Sequence, residues 1–247
     1  AWTPDGQLVF SAADASTPDI WIASIDGGSR KQLTIDASLQ RSPSVSPDGK
    51  TIVFVSTKNR SQNIWRMNAD GGEQRQITSG DGEAWPVITP DGASVVFNST
   101  STGFLWKIPI EGGDPVKLSD ETLSRIALAP DGTRFAAFGR SGDGKRRLVI
   151  KTYPECTTVR DFDVVAANPT PRKIEWTRDG RSLIYENEDL PLVGNLWEQP
   201  VDGRPPVKLT NFTGDRIFDF SFSPIDGKLA IVRGSWSFDA VLLTGLE

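Results

Sequence analysis

The stretch PSVSPDGKTIVFVSTKNRSQNIWRMNADGGEQRQIT, from Pro43 to Thr78, contains the pattern on which the fold depends. It holds a Pro-Asp-Gly signal at 47–49, an apolar run at 52–55, an Ile-Trp pair at 64–65 and an Asp-Gly-Gly signal at 70–72. In tight turns proline fixes φ, aspartate bonds to nearby backbone amides and glycine accepts a positive φ. The stretch therefore predicts four short strands, A to D, with turns between A and B and between C and D.

This pattern recurs along the whole chain. The turn motif begins at residues 3, 46, 89, 129, 177 and 223, with separations of 43, 43, 40, 48 and 46 residues. Units of this length match a four-stranded propeller blade. The run after each turn is apolar at consecutive positions, which indicates a strand covered on both faces rather than the alternation of a sandwich strand. The sequence predicts an all-β fold, a six-bladed β-propeller of four-stranded antiparallel blades without helices.

We expect one propeller domain over residues 1–247, with blades at approximately 1–38, 39–80, 81–120, 121–166, 167–213 and 214–247. The sixth unit stops near Thr244-Gly245, after its strand C at Val241-Leu242. The last blade is therefore expected to lack its outer strand, or to receive it from a segment upstream of Ala1. An unpaired strand edge would otherwise be a pairing hazard.

The Pro43–Thr78 stretch resembles the WD40-like repeat of the TolB-type six-bladed propeller, and this resemblance covers nearly the whole chain. The stretch NLWEQPVDGRPPVKLTNFTGDRIFDFSFSPIDGKLAIVRG, from Asn195 to Gly234, is similar to the C-terminal propeller of bacterial multidomain signalling proteins. In those proteins a cytoplasmic Ser/Thr kinase or winged-helix domain precedes a membrane helix and an extracytoplasmic propeller. The resemblance implies a location on the periplasmic side, with a tether through an upstream membrane helix outside this chain.

The composition excludes several classes of site. The chain of 247 residues has no histidine, which removes Ser-His-Asp triads, Cys-His dyads and His-ligated zinc. Cys156 is the single cysteine and has no histidine to activate it. The net charge of −5 does not suit a general nucleic-acid binder. No apolar run approaches the roughly 18 residues of a membrane helix. We expect no enzyme activity, no metal and no cofactor.

In a propeller the D-to-A and B-to-C loops share one face around the central channel, where ligands usually bind. Cationic and aromatic side chains stand shortly before most A strands, at similar distances from the turn motif. They form a predicted channel rim of Arg41, Trp85, Arg125, Arg172, Lys173 and Arg216. A secondary basic loop in blade 4 contains Arg140, Lys145, Arg146 and Arg147.

Arginine forks suit carboxylates and phosphates, and tryptophan supplies a stacking face. The rim therefore predicts a site for an acidic peptide segment, a C-terminal carboxylate or an anionic glycan. The alternative is solvated loop charge, which is common in proteins.

Other candidate residues have simpler explanations. A tryptophan repeats with the blades, which is typical of packing between blades, and the strand A tryptophans are also expected in the core. The packing residues are Trp21, Trp65, Trp106, Trp197, Trp2 and Trp176. Trp236 falls outside the pattern and is either an exposed aromatic or a plug against the incomplete blade. The acidic cluster Glu186, Glu188 and Asp189 is expected to be a solvated loop rather than a calcium site.

The leading hypothesis is a non-catalytic binding, sensor or protein-interaction propeller, part of a larger bacterial signalling protein. Its partner would be a protein or peptide at the channel mouth, with a small polar ligand as a second class. One alternative is a hydrolase propeller, either a peptidase gate or a calcium-dependent lactonase-like enzyme with Asp219 as the clearest strand A carboxylate. Another is a Tol-like scaffold for envelope transport.

Overall fold

Every regular element in the described part of the chain is a β-strand. The structure is a computed structural model that describes residues 1–13, 17–164, 172–189 and 193–235. Across these ranges no helix has the length and apolarity needed to cross a membrane. The predicted all-β class is confirmed.

The strands fall into four sets according to their place in a blade. The A strands are β4 (Gln40–Val45), β8 (Glu83–Ile88), β12 (Ser124–Leu128), β16 (Ile174–Trp176) and β20 (Arg216–Phe222). The B strands are β1 (Gln7–Ala12), β5 (Thr51–Ser56), β9 (Ser94–Ser99), β13 (Arg134–Arg140), β17 (Ser182–Asp189) and β21 (Leu229–Gly234). The C strands are β2 (Asp19–Ser24), β6 (Asn63–Asn68), β10 (Leu105–Pro109), β14 (Arg146–Thr152) and β18 (Val193–Pro200). The D strands are β3 (Arg30–Gln32), β7 (Arg75–Gln76), β11 (Val116–Lys117), β15 (Thr158–Asp163) and β19 (Val207–Lys208).

Strands that are consecutive in the chain pair in antiparallel fashion to form one sheet per unit. Blades 2 to 5 have four strands each in the order A-B-C-D, and blade 1 has three, β1-β2-β3. Trp2 adds an isolated bridge to Leu8, which gives blade 1 a rudimentary strand A. The sixth sheet, β20-β21, has two strands within the described residues.

The structure therefore shows five blades and the beginning of a sixth, where the sequence predicted six. The predicted strand C of blade 6, its end near Thr244-Gly245, and Trp236 lie outside the described residues.

The turn between strands A and B is held by a repeated hydrogen-bond pattern. In blade 2, Ser46 Oγ donates to Asp48 Oδ1 at 2.6 Å, and Asp48 Oδ1 accepts from the Lys50 amide at 3.0 Å. In blade 3, Thr89 and Asp91 make the same pair of contacts. The hydroxyl and amide donors hold the pKa of Asp48 and of Asp91 below the usual range. These aspartates act as turn residues, as the motif predicts.

The central strands are covered by both neighbouring blades. On β5, Ile52 and Phe54 pack with residues of blade 1, whereas Val53 and Val55 pack with residues of blade 3. All four side chains are at most 1% exposed. Burial of each such side chain stabilises the fold by about 1.5–3 kcal/mol. The consecutive apolar run thus serves two interfaces at once.

The turns also lock neighbouring blades together. A Cβ on Gly49 of blade 2 would lie 2.9 Å from Pro4 Cδ of blade 1, and a Cβ on Gly6 would lie 2.8 Å from Ile225 Cδ1 of blade 6. The Trp2 indole donates to Ser221 O of blade 6 at 3.0 Å. These contacts join the first blade to the sixth, so the ring closes.

The periodic tryptophans are more varied than the core prediction states. Trp2, Trp65 and Trp176 are buried, which confirms it for them. Those of strand C in blades 1, 3 and 5 are half-buried, so the prediction is only partly met for them. They are Trp21, Trp106 and Trp197.

We expect Gly71→Ala to destabilise the propeller more than Gly27→Ala, the equivalent change one blade earlier. Both glycines have positive φ, +92° and +73°, so both variants incur left-handed strain of about 1–2 kcal/mol. A Cβ on Gly71 would also lie 2.8 Å from Leu33 O, whereas one on Gly27 meets nothing within 4 Å. The crowding should add about 1–3 kcal/mol to the loss of unfolding free energy, measured by urea denaturation. Equal losses would contradict the inter-blade contact.

Candidate functional site

The A strands of the six units surround one central cavity of about 830 Å³. Its wall includes residues from each of these strands, among them Trp2 of blade 1, Val45, Val87, Ala127 and Ser221. Blade stacking brings the inner strands together and so creates the cavity. We call it the channel.

Three adjacent A strands are bent at the same place. The pairing register shifts between Arg41 and Ser44 in blade 2, between Ala84 and Val87 in blade 3, and between Ser124 and Ala127 in blade 4. Each bulge contains a residue with positive φ, and all three line the channel. They are Ser42 at 54°, Trp85 at 52° and Arg125 at 56°.

Each bulged residue stands four positions before the turn motif of its blade. A bulge re-aims the side chain of the extra residue. A left-handed conformation costs a residue other than glycine about 1–2 kcal/mol, and such strain concentrates at functional sites. The common register indicates that the bend is a property of the repeat that serves the channel.

The structure brings five of the six predicted rim residues to the channel wall. They are Arg41, Trp85, Arg125, Arg172 and Lys173, and all five are half-buried rather than solvated. Arg216 is not among them. Its Nε lies 3.3 Å from Glu188 Oε1 of the neighbouring blade. Arg216 precedes the register shift of β20, between Ile217 and Asp219, and its side chain contacts Glu188 of blade 5.

The centre of the basic wall is a stacked pair from two blades. The guanidinium carbon of Arg125 lies 4.0 Å from the ring centroid of Trp85. Arg41 Nη2 donates to Gln62 Oε1 at 2.5 Å, which is a neutral partner. Among the described residues neither Arg41 nor Arg125 has an ion-pair partner. Burial lowers the pKa of Arg125 to about 10, and the like charges of Arg172 and Arg41 lower it too. Arg125 is still a cation at neutral pH.

Another part of the wall carries an ion-paired cluster of one lysine and two carboxylates. Lys173 Nζ lies 2.8 Å from Asp219 Oδ1 and 3.1 Å from Glu175 Oε1. Burial acts to raise the pKa of Asp219, but the Lys173 charge and hydrogen bond bring it below the ordinary value. The same carboxylates raise the pKa of Lys173 against the effect of burial. This lysine is therefore committed to its own ion pairs.

Two glutamates behind the wall position its cations, and the sequence analysis did not assign them this role. Glu186 accepts hydrogen bonds from the backbone amides of Arg172 and, at 2.8 Å, Lys173. Glu188 Oε1 lies 3.8 Å from Arg172 Nε and also pairs with Arg216. Burial raises the pKa of Glu186 to about 8, because desolvation outweighs the amide donors and the nearby arginines.

The expectation of a solvated acidic loop is wrong for these two residues, which are 1% and 6% exposed. Strand β17 continues to Asp189 instead of ending after its apolar run, so Glu186 and Glu188 lie within a covered strand. The side chain of Asp189 lies outside the described residues. The length of the strand depends on its neighbours, and no local motif marks it.

The secondary basic loop does not reach the channel wall. Arg140 Nη1 donates to Gly144 O at 2.8 Å, and Lys145 pairs with Asp143 at 3.2 Å. Arg147 pairs with Asp161 at 2.8 Å and with Asp163 on the outer strand. Arg146 lies over the Phe138 ring. Its residues make local contacts, so they are useful as controls for the channel cations.

Comparison with known proteins agrees with this architecture. The family described as the Tricorn protease N-terminal beta propeller domain matches residues 4–157. No curated protein matches the sequence. Three solved structures illustrate the shared fold at low identity.

TolB from Acinetobacter baumannii has a TM-score of 0.76 at 22% identity, over 86% of this chain and 54% of its own. A putative TolB from Agrobacterium tumefaciens has a TM-score of 0.69 at 16% identity, over 85% of this chain and 78% of its own. A chain of a nidogen/laminin complex has a TM-score of 0.68 at 12% identity, over 92% of this chain and 85% of its own. The chain thus spans about half the length of the A. baumannii TolB. The predicted TolB-type propeller is confirmed as a fold.

Glu186→Gln should change how stability depends on pH. The pKa of Glu186 is raised from 4.5 to about 8 in the folded protein, so the folded state holds a proton that the unfolded state releases between these values. The unfolding free energy of the wild type should therefore fall, relative to Glu186→Gln, as the pH rises from about 5 to 8. Urea denaturation at a series of pH values measures this difference.

The control is Glu155→Gln, which changes an exposed glutamate in a turn. Its stability should follow the wild type across the pH range. Parallel curves for the wild type and Glu186→Gln would show that Glu186 does not hold an excess proton.

Proposed function

The chain belongs to the family of Tricorn protease N-terminal β-propeller domains, and we propose that it is a non-catalytic protein-interaction propeller. It binds a segment of a partner protein, or a peptide, at the channel mouth. The TolB-like and nidogen-like neighbours support a binding role only through their shared fold. The main support for binding is the residues of the channel.

The observation that carries the proposal is the set of strained bulges. Three blades bend at one register and aim Ser42, Trp85 and Arg125 at a cavity of about 830 Å³. Small-ligand pockets typically measure roughly 300–1,000 Å³, so the cavity has room for several residues of a peptide. Trp85 and Arg125 are residue types that dominate protein interfaces.

The wider context of the protein is a further part of the proposal. The TolB-type repeats support a location outside the cytoplasm, on the periplasmic side. The similarity of residues 195–234 to propellers of bacterial signalling proteins supports a sensor role in a larger signalling protein. In that arrangement the propeller reports occupancy of its channel to the rest of the chain.

A peptidase gate is the second candidate, favoured by the protease in the family's description. The sequence has no histidine and no G-x-S-x-G elbow, so the hydrolytic chemistry would belong to another chain or another part of the protein. A gate passes peptides quickly, whereas an interaction site holds them. The dissociation rate of a channel-bound peptide, measured by stopped-flow, distinguishes the two.

The calcium-dependent hydrolase alternative has weaker support. Asp219 does face the channel, but Lys173 holds its carboxylate in an ion pair of 2.8 Å. A cation at this carboxylate would have to displace the lysine. No group of three or more acidic or cysteine side chains within the described ranges is arranged to hold a metal ion.

Peptides selected from a display library on the wild-type propeller should lose binding to the double variant Arg125→Ala/Arg172→Ala. Both changes remove cations from the channel wall, so affinity should fall at least about tenfold. Surface plasmon resonance with the selected peptides measures the loss.

The double variant Arg140→Ala/Lys145→Ala removes the same charge outside the channel and should bind like the wild type. Equal binding to all three proteins would place the interaction site elsewhere on the propeller.

A further inference from the structure

The positive and negative side chains of the channel wall lie in different places, and their distribution determines which charges a ligand needs. Four arginines line the channel: Arg41, Arg125 and Arg172 stand before the turn motifs of blades 2, 4 and 5, and Arg178 lies in the turn of blade 5, at the other end of strand β16. The acids Glu175 and Asp219 stand on blades 5 and 6 and hold Lys173 between them. Arg41 and Arg125, which have no ion-pair partner among the described residues, are thus open to an incoming anion, whereas Lys173 is already paired.

The three arginines before the turn motifs come from different sides of the ring. In the closed ring, blades 3 and 4 separate blade 2 from blade 5 on one side, and blades 1 and 6 separate them on the other. Arg41 and Arg172 therefore face each other across the channel, with Arg125 on the arc between them. One carboxylate pairs well with one guanidinium fork, and it cannot span opposite walls. A ligand with several separated carboxylates matches this distribution better than a single anion does.

The guanidinium groups have unused bonding capacity. Arg41 donates to a neutral amide, and Arg125 stacks on Trp85. Arg172 shares Glu188 with Arg216 through its buried Nε and lies over the Phe218 ring, so its terminal nitrogens are the donors left for a ligand. Cations held close together in a partly buried place gain more from an anionic partner than exposed ones do.

We infer that the occupant of the channel mouth is an acidic peptide segment with at least two carboxylate side chains, which bind Arg41, Arg125 and Arg172 from opposite walls. This inference rests on the proposed function and specifies the partner's chemistry. Asp219 and Glu175 repel the acidic side chains and confine them to the arc of blades 2 to 5. Trp85 packs against the aliphatic parts of the segment beside Arg125.

The test compares two synthetic peptides with blocked ends, in which only side chains can carry charge, with a third whose C-terminus is free. One peptide has two glutamates separated by three glycines, and its twin has glutamines in their place. A third peptide contains only glycine and has a free C-terminal carboxylate. Fluorescence anisotropy at low ionic strength gives the dissociation constant of each labelled peptide on the whole chain. Inorganic phosphate serves as a competitor.

The diglutamate peptide should bind at least about tenfold more tightly than its glutamine twin and than the glycine peptide. Added salt should weaken it strongly, because charge pairs are screened. Arg41→Gln and Arg125→Gln should each raise its dissociation constant about tenfold, and Arg140→Gln should leave it unchanged. Arg41 lies outside the positive-φ positions, so its variant tests the charge without touching a strained residue.

Each other outcome overturns the inference in a recognisable way. Equal binding of the glutamate and glutamine peptides, lost in Arg125→Gln, would keep the peptide-binding channel and refute acidic selectivity. Equal binding of the glycine peptide would replace the acidic segment with a chain terminus. Displacement by phosphate at concentrations close to the peptide's own dissociation constant would indicate a small-anion site. Failure of every peptide to bind, including those from the display selection, would overturn the proposed function as well.

Discussion

The structure depends on the burial of each central strand between two neighbouring blades. Val53 and Val55 face blade 3, while Ile52 and Phe54 face blade 1, so one strand supplies half of two interfaces. No single blade could bury either face alone, because a lone sheet would leave both of them in water. The stable arrangement is a ring in which every sheet has two neighbours. The contacts of Trp2 with Ser221 and of Gly6 with Ile225 close it.

The ring places the inner strands around a channel, and the shared register of the repeats decides which residues face it. The position four residues before the turn motif holds Ser42, Trp85, Arg125, Lys173 and Asp219 in blades 2 to 6. All five line the channel, although they comprise a hydroxyl, an indole, two cations and a carboxylate. The scaffold therefore repeats the backbone and varies the side chain. This separation lets a symmetric fold carry an asymmetric site.

The electrostatics of the channel follow from the same arrangement. Where a cation has a carboxylate on the adjacent blade, as Lys173 has with Asp219, the ion pair joins the two blades. Where it has a neutral or aromatic neighbour, as Arg41 and Arg125 have, the charge is available to a ligand. Glu186 links the two parts, since it accepts hydrogen bonds from the backbone amides of both Arg172 and Lys173. A change in the protonation of Glu186 would alter the backbone hydrogen bonds of the segment that carries both cations.

The sequence by itself determined the blades, because turn motifs and two-sided apolar runs are local signals that each unit carries in full. It also predicted most of the channel residues, since a constant distance from the turn motif becomes a constant position in the ring. Distance along the chain does not determine the direction in which a side chain points. Arg216 precedes the register shift in β20, and only the fold showed that it faces Glu188. Only the tertiary structure decided that Glu186 and Glu188 are buried, because the length of a strand and the water around it depend on which neighbours cover it. The pairing of Arg125 with Trp85 was likewise decided there, since it joins neighbouring blades whose residues are about forty positions apart in the chain and meet only when the two blades stack.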